Sequence, residues 1–132
     1  MDDLKRALAA RAEVEYEAAF KAAVPVQIRG ATGVNAARIN GVYDHTAERR
    51  RGAVVYRKRG DGAMWLSMTA MGWMVQPTEH KEADDFTGCL ICAMAGDLAR
   101  APSPLQVPLA EWQVFAGAGG WEQQASFRIE PA

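Results

Sequence analysis

The chain has 132 residues, 49% of them hydrophobic and 23% charged, with a formal net charge of -1. That length fits one domain able to bury roughly two-thirds of its unfolded surface, so folding needs neither disulfide nor metal. The balanced charge gives no global field for nucleic acid or anionic lipid, and the composition argues against global disorder.

No apolar run approaches the ~20 residues of a membrane span. The start, Met1-Asp2-Asp3-Leu4-Lys5-Arg6, lacks the basic head and apolar core of a secretory signal. The expectation is therefore a soluble protein. A plastid or other organelle stays open if the chain is processed. Nothing in the sequence points to a cofactor.

Residues 3–23 read as a helix. The segment is rich in Ala, Glu, Lys and Arg, has no Gly or Pro, and starts at Asp2 or Asp3, either of which can cap it. Leu4, Leu8, Ala12, Tyr16 and Phe20 form one apolar stripe, and Pro25 ends the helix. The pattern predicts a helix or arm over residues 1–24 in front of a β domain over 25–132. The stripe can pack on that domain, dock on a partner or mediate self-association.

Val26-Gln27-Ile28-Arg29 alternates as a strand does. The Gly30 to Asn35 stretch is a loop, lacking the glycine and lysine spacing of phosphate-binding turns. Residues 37–43 read as a strand with a bend at Asn40-Gly41, and residues 44–52 as a polar connection carrying Arg49, Arg50 and Arg51. Residues 53–59 form a strand, Asp61-Gly62 a hairpin turn, and residues 64–68 and 73–76 two more strands. Residues 77–88 read as a polar loop with an acidic run, residues 89–95 as a buried strand or else a short helix, and residues 97–108 as an irregular crossing. Residues 111–115 form a strand, residues 117–120 a turn, and residues 121–129 a closing strand with Phe127 and Ile129 inward. Seven or eight short strands fed by turns predict a mainly β fold, an antiparallel sandwich or small barrel, behind an N-terminal amphipathic helix.

The order of the marks is distinctive. Gly30, Gly33 and Asn35 precede Ile39-Asn40-Gly41-Val42-Tyr43, Val55-Tyr56-Arg57-Lys58, Trp65-Leu66 and Trp73-Met74-Val75. Gly88, Pro102 or Pro104, Trp112-Gln113-Val114, Gly117 and Trp121 follow. Over about residues 26 to 130 this order resembles a short module that recurs, often in tandem, in large proteins of dinoflagellates and other algae and protists. The resemblance implies a compact β-rich module of multidomain or accessory proteins and assigns no chemistry to any residue. A single copy behind a helix departs from the tandem pattern and fits a small dedicated subunit or adaptor.

Candidate chemistry is sparse. Cys89 and Cys92 have the spacing of a thiol or zinc pair, but residues three apart on a regular strand face opposite sides, which sets the sulfurs apart. The only histidines, His45 and His80, fall in expected loops. No Gly-x-Ser-x-Gly elbow is present. Arg49, Arg50, Arg51, Arg57, Lys58 and Arg59 can form a basic patch on two neighbouring segments, or protect an edge strand from aggregation. Trp65, Trp73, Trp112 and Trp121 can stack on a sugar or small ligand if they are exposed. Three readings follow. The first is a non-catalytic interaction or scaffolding module, a peripheral subunit whose partner is another protein. The second is a carbohydrate or small-ligand module using the aromatic rings. The third is a zinc or thiol protein.

Overall fold

A computed structural model describes residues 2–85, 88–93, 101–115, 117 and 120–132; of Leu8, Ala9 and Ala12 it describes the backbone only. The chain is mainly β. Helix α1 (Asp2–Lys21) leads into strand β1 (Val26–Arg29), a single helical turn α2 (Ala36–Ile39), and strands β2 (Gly41–Arg50), β3 (Ala53–Lys58), β4 (Met64–Met68) and β5 (Trp73–Pro77). Helix α3 (Thr78–Glu82) precedes β6 (Ile91–Ala93), and β7 (Trp112–Phe115), β8 (Trp121–Glu122) and β9 (Arg128–Pro131) complete the fold. All nine strands form one sheet in the order β8-β7-β6-β5-β4-β3-β2-β1-β9, every pairing antiparallel. The sheet is curled into a half-barrel.

Strand alternation sorts the side chains. On the inner face Tyr56, Leu66, Val75, Ile91 and Val114 stand opposite one another across five consecutive strands, all buried. On the outer face the same register lines up Arg57, Trp65 and Gln76. The turns have local causes. Between β4 and β5, Thr69 Oγ1 donates to the Gly72 carbonyl at 2.8 Å and accepts from Met71 N at 3.1 Å, closing a tight reversal.

The curl brings the sheet ends together. The chain crosses from β8 to β9 through residues 123–127. Gln124 exchanges two hydrogen bonds with the Thr32 backbone, at 2.8 and 3.0 Å, and Ser126 Oγ donates to the Gly30 carbonyl at 2.6 Å. Asn35 Nδ2 donates to the Phe115 carbonyl at 3.0 Å, and the Trp112 and Phe127 rings meet at 6.0 Å between centroids. Phe127 and Ile129 point inward, as their alternation predicts.

Several local expectations change. Residues 36–39 are helical rather than extended, because the Asn40 side chain bonds both the N–H and the carbonyl of Ala31 (3.0 and 2.9 Å) and folds the loop back. The arginine-rich connection is the second half of β2, with a register shift between His45 and Arg49. The polar loop after β5 contains α3, and the closing strand is two strands, β8 and β9. Residues 94–100, 118 and 119, to which strand, crossing and turn were assigned, lie outside the described residues.

Candidate interaction site

Toward the C-terminus of helix α1, Tyr16 and Phe20 are partly buried and pack on the inner-face core. The register shift in β2 makes this docking possible. It places Arg49 opposite Val54, on the inner face beneath the helix. There the Arg49 guanidinium lies 3.9 Å from the Phe20 ring centroid and bonds Glu17 at 2.6 Å. The Arg49 bond holds the Glu17 carboxyl below the ordinary carboxylate range. Two other apolar residues of the helix, Leu4 and Val14, are uncovered. Leu4 is 59% exposed and Val14 is 68% exposed. The side chain of Leu8 lies outside the described residues.

Between α1 and the β2–β3 hairpin runs an open groove of about 1020 Å³. It is lined by Ala10, Val14 and Ala18 of the helix, by Tyr16 and Gly52, by Glu13 and Glu17, and by Lys21, Arg49 and Arg51. The helix therefore both packs on its own domain and leaves an apolar, charge-edged channel.

The basic segments do not form an unpaired patch. Arg50 is buried and fully engaged: Nε reaches Asp84 at 2.8 Å, Nη1 reaches Ser67 Oγ at 3.0 Å and Gln76 Oε1 at 2.9 Å, and Nη2 reaches the Asp85 carbonyl at 3.0 Å. Arg51 bonds the other Asp84 oxygen at 3.3 Å. The Arg50 bond leads the effects that hold Asp84 below the usual carboxylate range. Arg59 makes a bidentate pair with Asp44, and Lys58 Nζ donates to the carbonyls of Ala37 and Arg38. Arg57 lies 4.9 Å from the Trp65 ring centroid and donates to the Gly62 carbonyl. Edge protection is also not their role, because β2 and β3 are interior strands and the sheet edges are β8 and β9.

The tryptophans do not share a platform. Trp73 and Trp112 are core residues, 0% and 1% exposed, and Trp73 Nε1 donates to the Ala101 carbonyl at 2.7 Å. Trp65 lies on the outer face with Arg57 and Lys81 both on its ring, and its indole N–H donates to Thr78. Trp121, 38% exposed, leans on Phe115 at 5.3 Å.

His45 stands on β2 and His80 on α3, not in loops. His80 Nδ1 lies 3.2 Å from both carboxylate oxygens of Asp85. Among the described residues no group of three or more His, Cys, Asp or Glu could hold a metal ion. The two cysteines, neither in a disulfide, are buried in one small cluster with Met74, so the expected divergence of their side chains is overturned.

Ser67, Gln76, Lys81 and Glu48 escaped sequence reasoning. Lys81, its side chain only 4% exposed, bonds Glu48 and Glu82 over the Trp65 ring. The available signal was Gln76, a polar residue ending an otherwise apolar strand.

Comparison of the chain with protein-family models, with curated proteins and with solved structures gave no match. No helix among the described residues is long and apolar enough to cross a membrane.

Proposed function

We propose that this chain is a non-catalytic protein-interaction module, a peripheral or adaptor subunit that docks through α1. The observation that carries the reading is the α1–hairpin groove, walled by exposed Val14 and small alanines on a helix anchored to the sheet through Tyr16 and Phe20. The occupant is an amphipathic α-helix of another protein. Small side chains at Ala10 and Ala18 allow close helix–helix approach, and Val14 between them supplies an apolar contact. Glu17 and Arg49 pair with each other at 2.6 Å and Arg51 with Asp84, so the apolar wall rather than charge carries the contact, with Glu13 on the lining. The engagement of the basic residues in internal contacts, and the burial of Trp73 and Trp112, favour this reading over a phosphate or sugar site. The resemblance of residues 26–130 to a module of accessory proteins is consistent with it.

The test compares the wild-type chain with Val14→Glu in pull-down from a lysate of the source cells, with bound proteins identified by mass spectrometry. The reading expects one protein enriched on wild type and lost on the variant, with fold and stability unchanged. Equal sets of bound proteins on both would refute it. Concentration-dependent dimerisation lost in the variant would replace the partner with a second copy of the chain.

A further inference from the structure

Strand β6 contains an irregularity that has a chemical result. Opposite Val75 of β5 stand two residues: Leu90 N donates to the Val75 carbonyl at 2.9 Å, while Ile91 is its register partner. On the β7 side the ladder is regular: Phe115 N donates to the Leu90 carbonyl at 2.9 Å, in register with the Ile91–Val114 pair. Leu90 and Ile91 are adjacent in sequence and both belong to the inner-face core. Two residues facing one across an antiparallel ladder constitute a β-bulge, which resets the alternation of side chains. Regular alternation would separate Cys89 from Cys92. The bulge places both in one buried cluster against Met74, apart from the main core. Cys89 Sγ lies 2.7 Å from the Ile91 carbonyl, in the same buried cluster as Cys92.

We propose that Cys89 and Cys92 are a redox-active dithiol that closes to an intramolecular disulfide by exchange with low-molecular-weight disulfides. One protein thiolate attacks a sulfur of the small disulfide, forming a mixed disulfide and expelling one small thiolate. The neighbouring cysteine passes its proton to that thiolate and attacks the protein sulfur of the mixed disulfide, releasing the second small thiol. The protein loses two protons and two electrons, and the small disulfide takes them up in becoming two thiols. The hydrogen bond from Cys89 holds the Cys92 thiol below its ordinary range, and burial pushes the Cys89 thiol up.

The experiment incubates the full chain with oxidised glutathione, quenches with acid, alkylates, and reads intact mass and peptide maps. The expected result is loss of two hydrogens, concurrent loss of both free thiols, a linked Cys89–Cys92 peptide and no retained glutathione. Cys89→Ser is expected to accumulate a stable glutathione adduct on Cys92. A lasting adduct on the wild-type chain, disulfide-linked dimers, or two intact thiols after prolonged excess oxidant would each overturn the proposal. Should Cys89→Ser fail to fold, the wild-type mass and map decide alone.

Discussion

Arg50→Ala tests the internal network most sharply. The guanidinium is 8% exposed and bonds Ser67 Oγ and Gln76 Oε1, both on residues that are 0% exposed. The Asp85 carbonyl keeps its bond from Gln76 Nε2 at 3.0 Å, so removal of Arg50 leaves two buried acceptor groups without that donor. Each buried polar group that loses its donor costs ~1–3 kcal/mol, which sets the expected loss at about 2–6 kcal/mol. Arg51→Ala is the control: that side chain is 41% exposed and bonds Asp84 at 3.3 Å, a surface contact worth ~0–1 kcal/mol. Urea unfolding followed by tryptophan fluorescence reads both, since Trp73 and Trp112 are buried. The triple variant Arg50→Met, Ser67→Ala, Gln76→Met removes Arg50 together with both buried side-chain acceptors, but also the Gln76 donor to the Asp85 carbonyl, and is expected to recover part of the loss. Losses for Arg50→Ala and Arg51→Ala that agree within ~0.5 kcal/mol would refute the reasoning.

Two glycines of nearly equal backbone angle separate strain from collision. Gly30 (φ +78°) and Gly60 (φ +80°) both sit in the left-handed region, but a Cβ on Gly30 would lie 1.9 Å from the Ser126 carbonyl oxygen, while Gly60 has nothing within 4 Å. Gly60→Ala should cost ~1–2 kcal/mol and Gly30→Ala clearly more, by denaturant midpoint. Glu17, Asp44, Asp84 and Glu130 are each held below the ordinary carboxylate range, chiefly by a hydrogen bond from Arg49, Arg59, Arg50 and Arg29. Their contribution is whole above that range and is lost as pH falls through the lowered folded values, so thermal midpoints should drop on acidification below about pH 4, less steeply in Asp84→Asn. Burial pushes the Tyr56 phenol up to about 12 and Tyr43 higher still. Stability should hold below the ordinary phenol value of 10.0 and fall as pH rises toward about 12, with these phenolates appearing by ultraviolet absorbance only in that range or on unfolding.

The sequence was legible wherever structure followed from local pattern. The alternation of Val26 to Arg29 is strand β1, residue for residue, and the turns after Lys58 and Met68 fall where turn residues stand. It was illegible where non-local contacts decide. Asn40 looked like a bend within a strand, yet its two bonds to Ala31 shape a helical turn. Arg49 and Arg50 looked like loop residues because they are charged. In the fold one is stacked on Phe20 and the other is buried among Asp84, Ser67 and Gln76. Their location on interior strands depends on sheet order, which pattern does not encode. The cysteine pair was misjudged because the alternation rule assumes an unbroken ladder, and the bulge at Leu90-Ile91 breaks it. Part of the candidate site was visible, since Tyr16 and Phe20 marked the helix face that packs. Val14, on another face of α1, was not singled out, because its exposure follows from how the helix lies on β3.

The most direct test of the docking account is a side-by-side capture and native-mass measurement of the wild-type chain and Val14→Glu. Val14 is 68% exposed, so the substitution should alter stability by less than ~0.5 kcal/mol and act on binding alone. The account predicts one protein retained by wild type and released by the variant, with the chain otherwise monomeric by light scattering across concentrations. Identical partner sets and identical mass for the two chains would contradict it.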